Sequence, residues 1–356
     1  MDKKRPFRID FYRKYSLEKL IELAATNYSS GSILNQNYLK WQYEDNPFGE
    51  SLMSLAKDDE SDELVGQYIV VPYHYVINGQ IVKGSLSLNT LTREDFRGRG
   101  LFTKLSLNTY EKCAENGVFF TTGFPNQMSY PGFVKKLDFK YMGDVPLLIK
   151  PLRPLNILRN RIFKEQVKHG GELNIDTTTL SGFQELDFEM DKSIYNDFIH
   201  DYIQGKGVML HKTFDYLKWR YADLPTRNYK ALKLVVKNKI IAILIVKGER
   251  VLASKSIVIM DFMVLIGAEH KKVVKQSLKK VARNVKKQKF DSIAVLSNKN
   301  NYEYEVLKGT GFFKVPQKIL PQPIPYIVRL NKSFDLEKEI FEMANWKIGF
   351  GDYDIF

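Results

Sequence analysis

The sequence predicts an α+β protein of two tandem domains, each a mixed, mostly antiparallel sheet flanked by helices. Three observations predict it. Tyr38 to Pro47 reads YLKWQYEDNP and Tyr216 to Pro225 reads YLKWRYADLP, with seven of ten letters alike in a chain that has only three tryptophans. The run FRIDF precedes the first stretch and QELDF the second; Phe11 to Phe188 spans 177 residues and Tyr38 to Tyr216 spans 178, so the register holds over about forty residues. The same order of apolar runs then follows each stretch.

Taken in order, FRIDF (Phe7 to Phe11) reads as a short strand. SLEKLIELAATNY reads as a helix with Ser16 as N-cap and Glu18 in its first turn. After the first Trp segment come SLMSLA, VGQYIVVPYHYV, an Asn78-Gly79 turn and QIVKGSLSLNTLT; Asn-Gly between such runs signals a tight hairpin. After the second come YKALKLVV, a Lys237-Asn238 turn, IIAILIVKG and SIVIMDFMVLI. Each half continues with a long helix, a strand (VFFTT; SIAVLS), another helix and a last strand (PLLIK; PYIVRL). The predicted organisation is therefore a first domain over 1–150, a partly helical linker over 151–182, a second domain over 183–330 and a tail over 331–356.

The 356 residues are 44% hydrophobic and 13% aromatic, which suits a packed interior and excludes a disordered chain. With Cys113 the one cysteine, neither an internal disulfide nor a cysteine-based zinc site can form. No stretch reaches eighteen apolar residues and the N-terminus lacks an apolar leader core, so a cytoplasmic protein without a membrane span is expected. The net charge of +13 invites a polyanion: nucleic acid, anionic lipid or a phosphate-rich cofactor.

The chemistry is expected in LNTLTREDFRGRGLFTKLSLNTYEKCAENG. A strand ends near Thr92, Arg97-Gly98-Arg99-Gly100 follows, and a helix begins with Leu101, Leu105 and Leu107 on or near one face. Glycines between a strand and a helix N-terminus let the backbone turn tightly and approach a ligand. The free N–H groups and the helix dipole then favour an anion, and Arg97 and Arg99 add charge for phosphate.

A strand, R-x-x-G-x-x, a helix and a strand ending in Asn resemble the GCN5-related N-acetyltransferase (GNAT) superfamily. Its Q/R-x-x-G-x-G/A signature is matched at Arg97 and Gly100; Phe102 stands at the last position and is expected to crowd the loop. Pro125 to Phe139, PNQMSYPGFVKKLDF, is similar to the family's Asn-to-"klGF" segment, with Asp138 in place of Gly. The resemblance implies two tandem GNAT-like domains and acetyl-CoA, or another acyl-CoA, as co-substrate. It implies pyrophosphate on the amides from Phe96 to Phe102, an oxyanion donor in the main chain around Leu91 and Thr92, and Asn126 on pantetheine or a water. It places Val134 where the family often carries a tyrosine acid, so Tyr130 is the substitute. His74 is the candidate base. Glu94 and Asp95 before the loop, and Asp352 and Asp354 folding back from the tail, are further options.

Setting Asn126 against Asn300-Asn301 brings the corresponding loop of the second half near Lys271, in AEHKKVVKQSLKKVARNVKKQK. No glycine lies there; Val274, Leu278, Val281 and Val285 make an apolar stripe, and nine Lys or Arg lie from Lys271 to Lys289 without an acid. The first half alone is expected to bind CoA, and the second to shape the acceptor pocket. The Trp segments are expected either to pack a helix on the sheet or to line an acceptor cleft. Three readings result. The first is N-acyl transfer to a small-molecule amine, an amino sugar first, as in similar surface-polysaccharide enzymes. The second is a Fem-like aminoacyltransferase using aminoacyl-tRNA, which the basic helix suits. The third is a CoA-binding protein without catalysis.

Overall fold

The structure is a computed structural model that describes residues 6–11, 16–162, 173–180, 182–205, 207–251, 254–320 and 322–353. The chain divides into two compact units. The first comprises Met1–Gly143, Asp223–Thr226 and Pro325–Phe341; the second comprises Asp144–Ala222, Arg227–Ile324 and Glu342–Phe356.

The first unit begins with β1 (Phe7–Phe11), α1 (Leu17–Ala25) and α2 (Gln36–Tyr43). Ser16 precedes α1 in extended backbone, but its hydroxyl bonds Glu18 and caps no backbone N–H. Asn35 caps α2 through its side chain, which accepts from Tyr38 N at 3.1 Å. Tyr38 and Trp41, one turn apart, pack with ring centroids 5.3 Å apart, and both are buried. The hairpin strands are β2 (Leu52–Asp58), β3 (Leu64–Ile77) and β4 (Gln80–Thr92). Asn78 and Gly79, at φ 48° and 85°, give the β3–β4 turn the left-handed pair that matches the strands' twist.

Next come α3 (Leu101–Glu115), β5 (Phe120–Gly123), α4 (Tyr130–Lys136) and β6 (Lys140–Asp144). The stripe that α3 buries is Leu101, Leu105, Ser106, Thr109, Tyr110 and Cys113; Leu107, expected on that face, is 40% exposed. The β3–β4 register runs from Ile77↔Gln80 to Ile69↔Leu88 and then jumps to Gln67↔Leu91. One extra residue of β4 thus bulges at Asn89 to Thr90. Asn89 is left-handed (φ 48°), and its side-chain amide donates to Gln42 Oε1 at 2.8 Å and to Tyr43 Oη at 2.7 Å. Its carbonyl accepts from Gln67 Nε2 at 2.7 Å. β5 lies parallel to β4 only from Gly84↔Phe120 to Ser87↔Gly123. The pairing therefore ends at Ser87, two residues before the bulge at Asn89.

The second unit starts with β7 (Leu147–Pro151) and α5 (Pro154–Ile162), then β8 (Gln184–Glu185), α6 (Lys192–Tyr202), β9 (Val208–Leu210) and α7 (Phe214–Leu217). Thr213 Oγ1 caps α7 from Tyr216 N at 3.1 Å, and Tyr216 and Trp219 pack at 5.6 Å. A π-helical turn over Lys218–Ala222 follows. Then come β10 (Lys230–Val236), β11 (Lys239–Val251), β12 (Ser254–Val264), α8 (Ala268–Lys287), β13 (Ser292–Leu296), α9 (Tyr302–Lys308) and β14 (Phe313–Lys314). Lys237 and Asn238 make the β10–β11 turn with φ 50° and 61°. On α8, the predicted Val274, Leu278, Val281 and Val285 are all buried.

The remaining strands are β15 (Pro325–Leu330) and β16 (Trp346–Lys347). The first unit's sheet runs β1-β2-β3-β4-β5-β15-β6, and the second's runs β8-β10-β11-β12-β13-β7-β14. In both, the fourth and fifth strands pair in parallel. The second sheet is irregular at the same place: Ile245↔Asp261 is followed by Val246↔Ile259, so β12 bulges at Met260.

The sequence-based division differs here. PLLIK, expected to close the first domain, is β7 and lies antiparallel to β13 in the second unit; PYIVRL, expected to close the second, is β15 and lies antiparallel to β5 in the first. The boundary expected at 150 thus falls at Gly143/Asp144, and 325–330 leaves the span expected for the second domain. A strand's apolar run satisfies the open edge of either parallel pair, so sequence order alone does not choose between the sheets. Of the expected linker, 163–172 and 181 lie outside the described residues.

Tyr68 links core and sheet: its hydroxyl bonds Ser87 Oγ at 2.8 Å and also Tyr110 Oη, and Arg329 of β15 lies over the Tyr110 ring at 4.1 Å. Cys113 is buried beside them, and burial pushes its thiol up to about 12. A thiol reagent at about pH 8, where a free cysteine is partly ionised, is expected to label native protein only as fast as the unit opens, and denatured protein at once. Rapid native labelling would contradict that burial. Asn89→Ala removes two hydrogen bonds and places a Cβ-bearing residue without a local polar partner at φ 48°. It is expected to cost about 2–4 kcal/mol in urea unfolding. Asn89→Gly is expected to cost about 1 kcal/mol less, since glycine accepts that backbone; equal losses would refute the strain component.

Candidate functional site

In the first unit, eight residues separate the end of β4 from the start of α3. Buried Phe96 anchors this connection, with the Arg93 and Arg99 guanidinium groups over its ring at 4.9 and 4.3 Å. Arg93 also pairs with Glu63 and Asp95, each at 2.8 Å, and Arg99 Nη2 donates to the Asp95 carbonyl at 2.6 Å. Asp95 is therefore a brace of the turn; Glu94 is exposed beside it.

Arg97 stays exposed and donates to Asn27 Oδ1 at 2.8 Å and to the Thr92 carbonyl at 3.4 Å. Gly98 and Gly100 are both left-handed, at φ 74° and 80°, and a Cβ at either would meet open space. The glycines are thus required by the backbone turn rather than by crowding. Lys104 N is bonded to Gly100 O at 3.1 Å, so α3 begins at once and its first amides, Leu101 to Thr103, have no acceptor within the helix. Two turned glycines, a helix N-terminus and an arginine together present the partial positive charge and free amides that favour an anion.

Phe102 does not crowd this loop. Its ring packs edge-on to Phe133 at 5.3 Å and to Tyr68 at 6.3 Å, and a Cβ on Gly132 would lie 3.0 Å from it. The side chain points into the core because it joins the face of α3 that meets α4.

Leu91 and Thr92 are paired with Gln67 and Gly66. The irregular main chain lies just before them, at Leu88 to Thr90, beyond the last β4–β5 pair. Asn126 is exposed at the start of the α4 turn; its Oδ1 accepts from Met128 N, Ser129 N and Ser129 Oγ at 3.0, 2.9 and 3.1 Å, leaving the NH₂ as its donor group. Tyr130 opens α4 with its ring edge-on to Tyr141 at 5.7 Å, packed on the core beside Val134.

The loop, the bulge and Asn126 flank the parting of β4 from β5; His74 does not join them. It pairs with Lys83, four residues beyond the Val70↔Ser87 pair and toward the opposite end of the sheet, about 13 Å from the parting. It packs against Phe48 at 4.7 Å, and burial, with a smaller effect of Lys83, lowers its pKa.

In the second unit only three residues, Leu265 to Gly267, join β12 to α8. The loop expected near Lys271 is therefore already helix. The glycine that is present, Gly267, exchanges hydrogen bonds with Tyr302 Oη, and a Cβ on it would lie 3.1 Å from His270. Where β12 leaves β13, the tail of the same unit packs in: a Cβ on Gly349 would lie 2.7 Å from the Met260 carbonyl, and the remaining cavity of about 40 Å³ holds little more than a water.

Asp352 belongs to this tail. It pairs with buried Lys212 at 3.0 Å and accepts from Gly349 N at 2.7 Å, while Lys212 and Tyr221 Oη also bond Asp261. Burial raises the Asp352 carboxyl above its usual range. Asp354 lies outside the described residues. Sequence reasoning missed Asn89 and its helix partners Gln42 and Tyr43; an Asn inside the apolar strand LSLNTLT was the available signal.

The model of the acetyltransferase (GNAT) domain family matches residues 8–142. No curated protein sequence matches the chain. Among solved structures, a GCN5-related N-acetyltransferase from Anabaena variabilis is similar with a TM-score of 0.62 at 12% identity, over 91% of this chain and 73% of that one. Another from Kribbella flavida gives 0.59 at 10% identity, over 92% and 71%. The N-myristoyltransferase of Saccharomyces cerevisiae with bound myristoyl-CoA gives 0.55 at 11% identity, over 96% and 86%. At such identities the likeness is one of fold, and it agrees with the strand order, the parted parallel strands and the glycine loop: residues 8–142 match the GNAT acetyltransferase domain model, and the fold is GNAT-like.

Proposed function

We propose that the protein is an acyl-CoA-dependent N-acyltransferase whose first unit holds the co-substrate. The observation that carries this reading is the alignment of three features at one end of one sheet: the parting after Ser87↔Gly123, the bulge at Asn89, and the left-handed Gly98–Gly100 turn into α3. The amides from Phe96 to Phe102, with Arg97, would hold the pyrophosphate. Asn126 would donate to pantetheine or to a water, and Leu88 to Thr90 would supply the oxyanion donor in place of the expected Leu91 and Thr92. The co-substrate supplies an activated thioester. A neutral primary amine attacks its carbonyl, forming the C–N bond; the C–S bond breaks, the thiolate leaves, and the amine's proton passes to solvent. Tyr130 remains the nearest hydroxyl donor on α4 for the leaving thiolate. The acceptor we favour is a small-molecule amine, an amino sugar first, as in surface-polysaccharide enzymes.

The two sheets with one strand order, the twin Trp segments and the twin bulges support a tandem duplication in which only the first copy kept a cofactor loop. In the second, the short connection and the packed tail leave no room for one.

Acetyl-CoA at about a hundredfold over its Kd is expected to raise Tm by about 5 °C or more. Arg97→Ala should weaken binding about tenfold, and Gly100→Val, which forces a β-branched residue to φ 80°, should abolish the shift. No shift with acetyl-CoA or a longer acyl-CoA, together with salt-sensitive tRNA binding, would instead select the aminoacyl-tRNA reading. Binding without turnover on any amine would select a non-catalytic role.

His74→Gln should leave the pH profile of turnover unchanged. Its effect is on stability: a histidine whose folded pKa is lowered stabilises the fold above the unfolded value of about 6.5, and that contribution is lost as pH falls through the folded pKa. Melting curves between about pH 7.5 and 5 should therefore fall less for the variant than for the wild type. A changed turnover profile would return His74 to the chemistry.

A further inference from the structure

The second unit carries an apolar groove that acyl transfer does not use. It has a volume of about 320 Å³ and lies between β7, α5 and the segment after α9, with Ile149, Ile157, Leu158, Phe313, Val315 and Ile319 among its walls. Two of these wall residues are exposed, Leu158 at 57% and Phe313 at 53%, and Leu155, one turn before Leu158 on α5, is 81% exposed. An apolar surface of this kind beside a preformed groove is uncommon on a protein that meets only water.

The charge around it is predominantly positive. Arg159 on α5, and Lys314 and Lys318 after α9, are exposed, and neither α5 nor 313–320 contains an Asp or Glu. Arg153, just before α5, donates to the Lys289 carbonyl at 3.2 Å, which sets the basic end of α8, with exposed Lys286, Lys287 and Lys289, next to α5. Of the nearby acids, Asp291 is buried and pairs with Arg153 at 3.5 Å, Asp144 accepts from Gln317, and Asp176 exchanges backbone hydrogen bonds with the Gln288 side chain at the end of α8, so the exposed cations outnumber them.

From this juxtaposition we infer that the groove face is a docking surface for an anionic lipid bilayer. Leu155, Leu158 and Phe313 enter below the headgroups, and Arg159, Lys314, Lys318 and the end of α8 lie on the phosphates. The contact is peripheral, since among the described residues no helix is long and apolar enough to cross a membrane. A second copy is disfavoured as occupant because it brings the same cationic rim and the same net charge of +13. The inference goes beyond acyl transfer and does not depend on it.

Co-sedimentation of the full chain with vesicles tests it. Vesicles of phosphatidylcholine mixed with phosphatidylglycerol should carry the protein down, vesicles of phosphatidylcholine alone should not, and binding should fade as salt is raised. Lys314→Glu with Lys318→Glu should lower vesicle affinity by more than about tenfold. Leu155→Ser with Leu158→Ser should lower it comparably even at low salt, with the melting temperature of these exposed-site variants unchanged. Equal pelleting on both vesicle types, no pelleting at low salt, or full binding by either double variant would overturn the inference. So would a wild-type dimer in sedimentation equilibrium that Leu155→Ser with Leu158→Ser dissolves, because the groove's occupant would then be a second copy.

Discussion

A single left-handed residue in a central strand, Asn89, decides where the first sheet opens. Its backbone adds the extra residue to β4, and its side-chain amide reaches two acceptors on α2, Gln42 and Tyr43. The helix thereby fixes the bulge, and the bulge fixes the point beyond which β4 no longer follows β5. Everything proposed for the chemistry lies past that point: an irregular main chain that faces a gap, and a helix N-terminus set above it. Removing the amide would leave a strand free to re-register by one residue, and a slip of one residue turns every side chain of β4 to the opposite face.

The second sheet shows what happens when the same position carries charge. Asp261 sits beside the Met260 bulge and accepts from Tyr221, the counterpart of Tyr43 in the Trp segment. An amide is satisfied by neutral neighbours; a buried carboxylate needs a counter-charge. Lys212 provides it, and Lys212 in turn pairs with Asp352 of the tail. The ion network therefore draws the tail into the space that the parted strands would otherwise leave open. With a three-residue connection in place of eight, that sheet also lacks the pair of left-handed glycines proposed to hold a phosphate in the first.

Features set by a few adjacent residues were legible in the sequence. The Asn78-Gly79 and Lys237-Asn238 turns, the buried valine stripe of α8 and the turned glycines of RGRG each follow from local backbone preference or helical spacing, and they are found where the sequence puts them. What depends on distant partners was not. The exchange of β7 and β15 is a choice between two equivalent sheet edges, to which the apolar runs PLLIK and PYIVRL are indifferent. The placement of Phe102 depends on Gly132, thirty residues on, which leaves the space its ring fills. His74 carries a suitable pKa in isolation, yet strand register holds it far from the parting. The bulge moved the irregular main chain to Leu88–Thr90 from Leu91 and Thr92, because register shifts are set by cross-strand pairing and not by composition.

The likeness of YLKWQY and YLKWRY now divides by position. The letters that agree pack: Tyr38 on Trp41 and Tyr216 on Trp219, each after a capped turn, and Tyr43 or Tyr221 on the residue at the bulge. The letter that differs selects what the segment holds. Gln42 offers a neutral oxygen to Asn89, within reach of the open gap. Arg220 has only donors, and two of them, Nε and Nη2, go to the carbonyls of Gly351 and Tyr353 in the tail, each at 3.4 Å. A carboxamide can complete a neutral network at an opening; a guanidinium there must find acceptors, and the tail brings them. The substitution of one polar side chain by another thus goes with an open sheet in one unit and a filled one in the other.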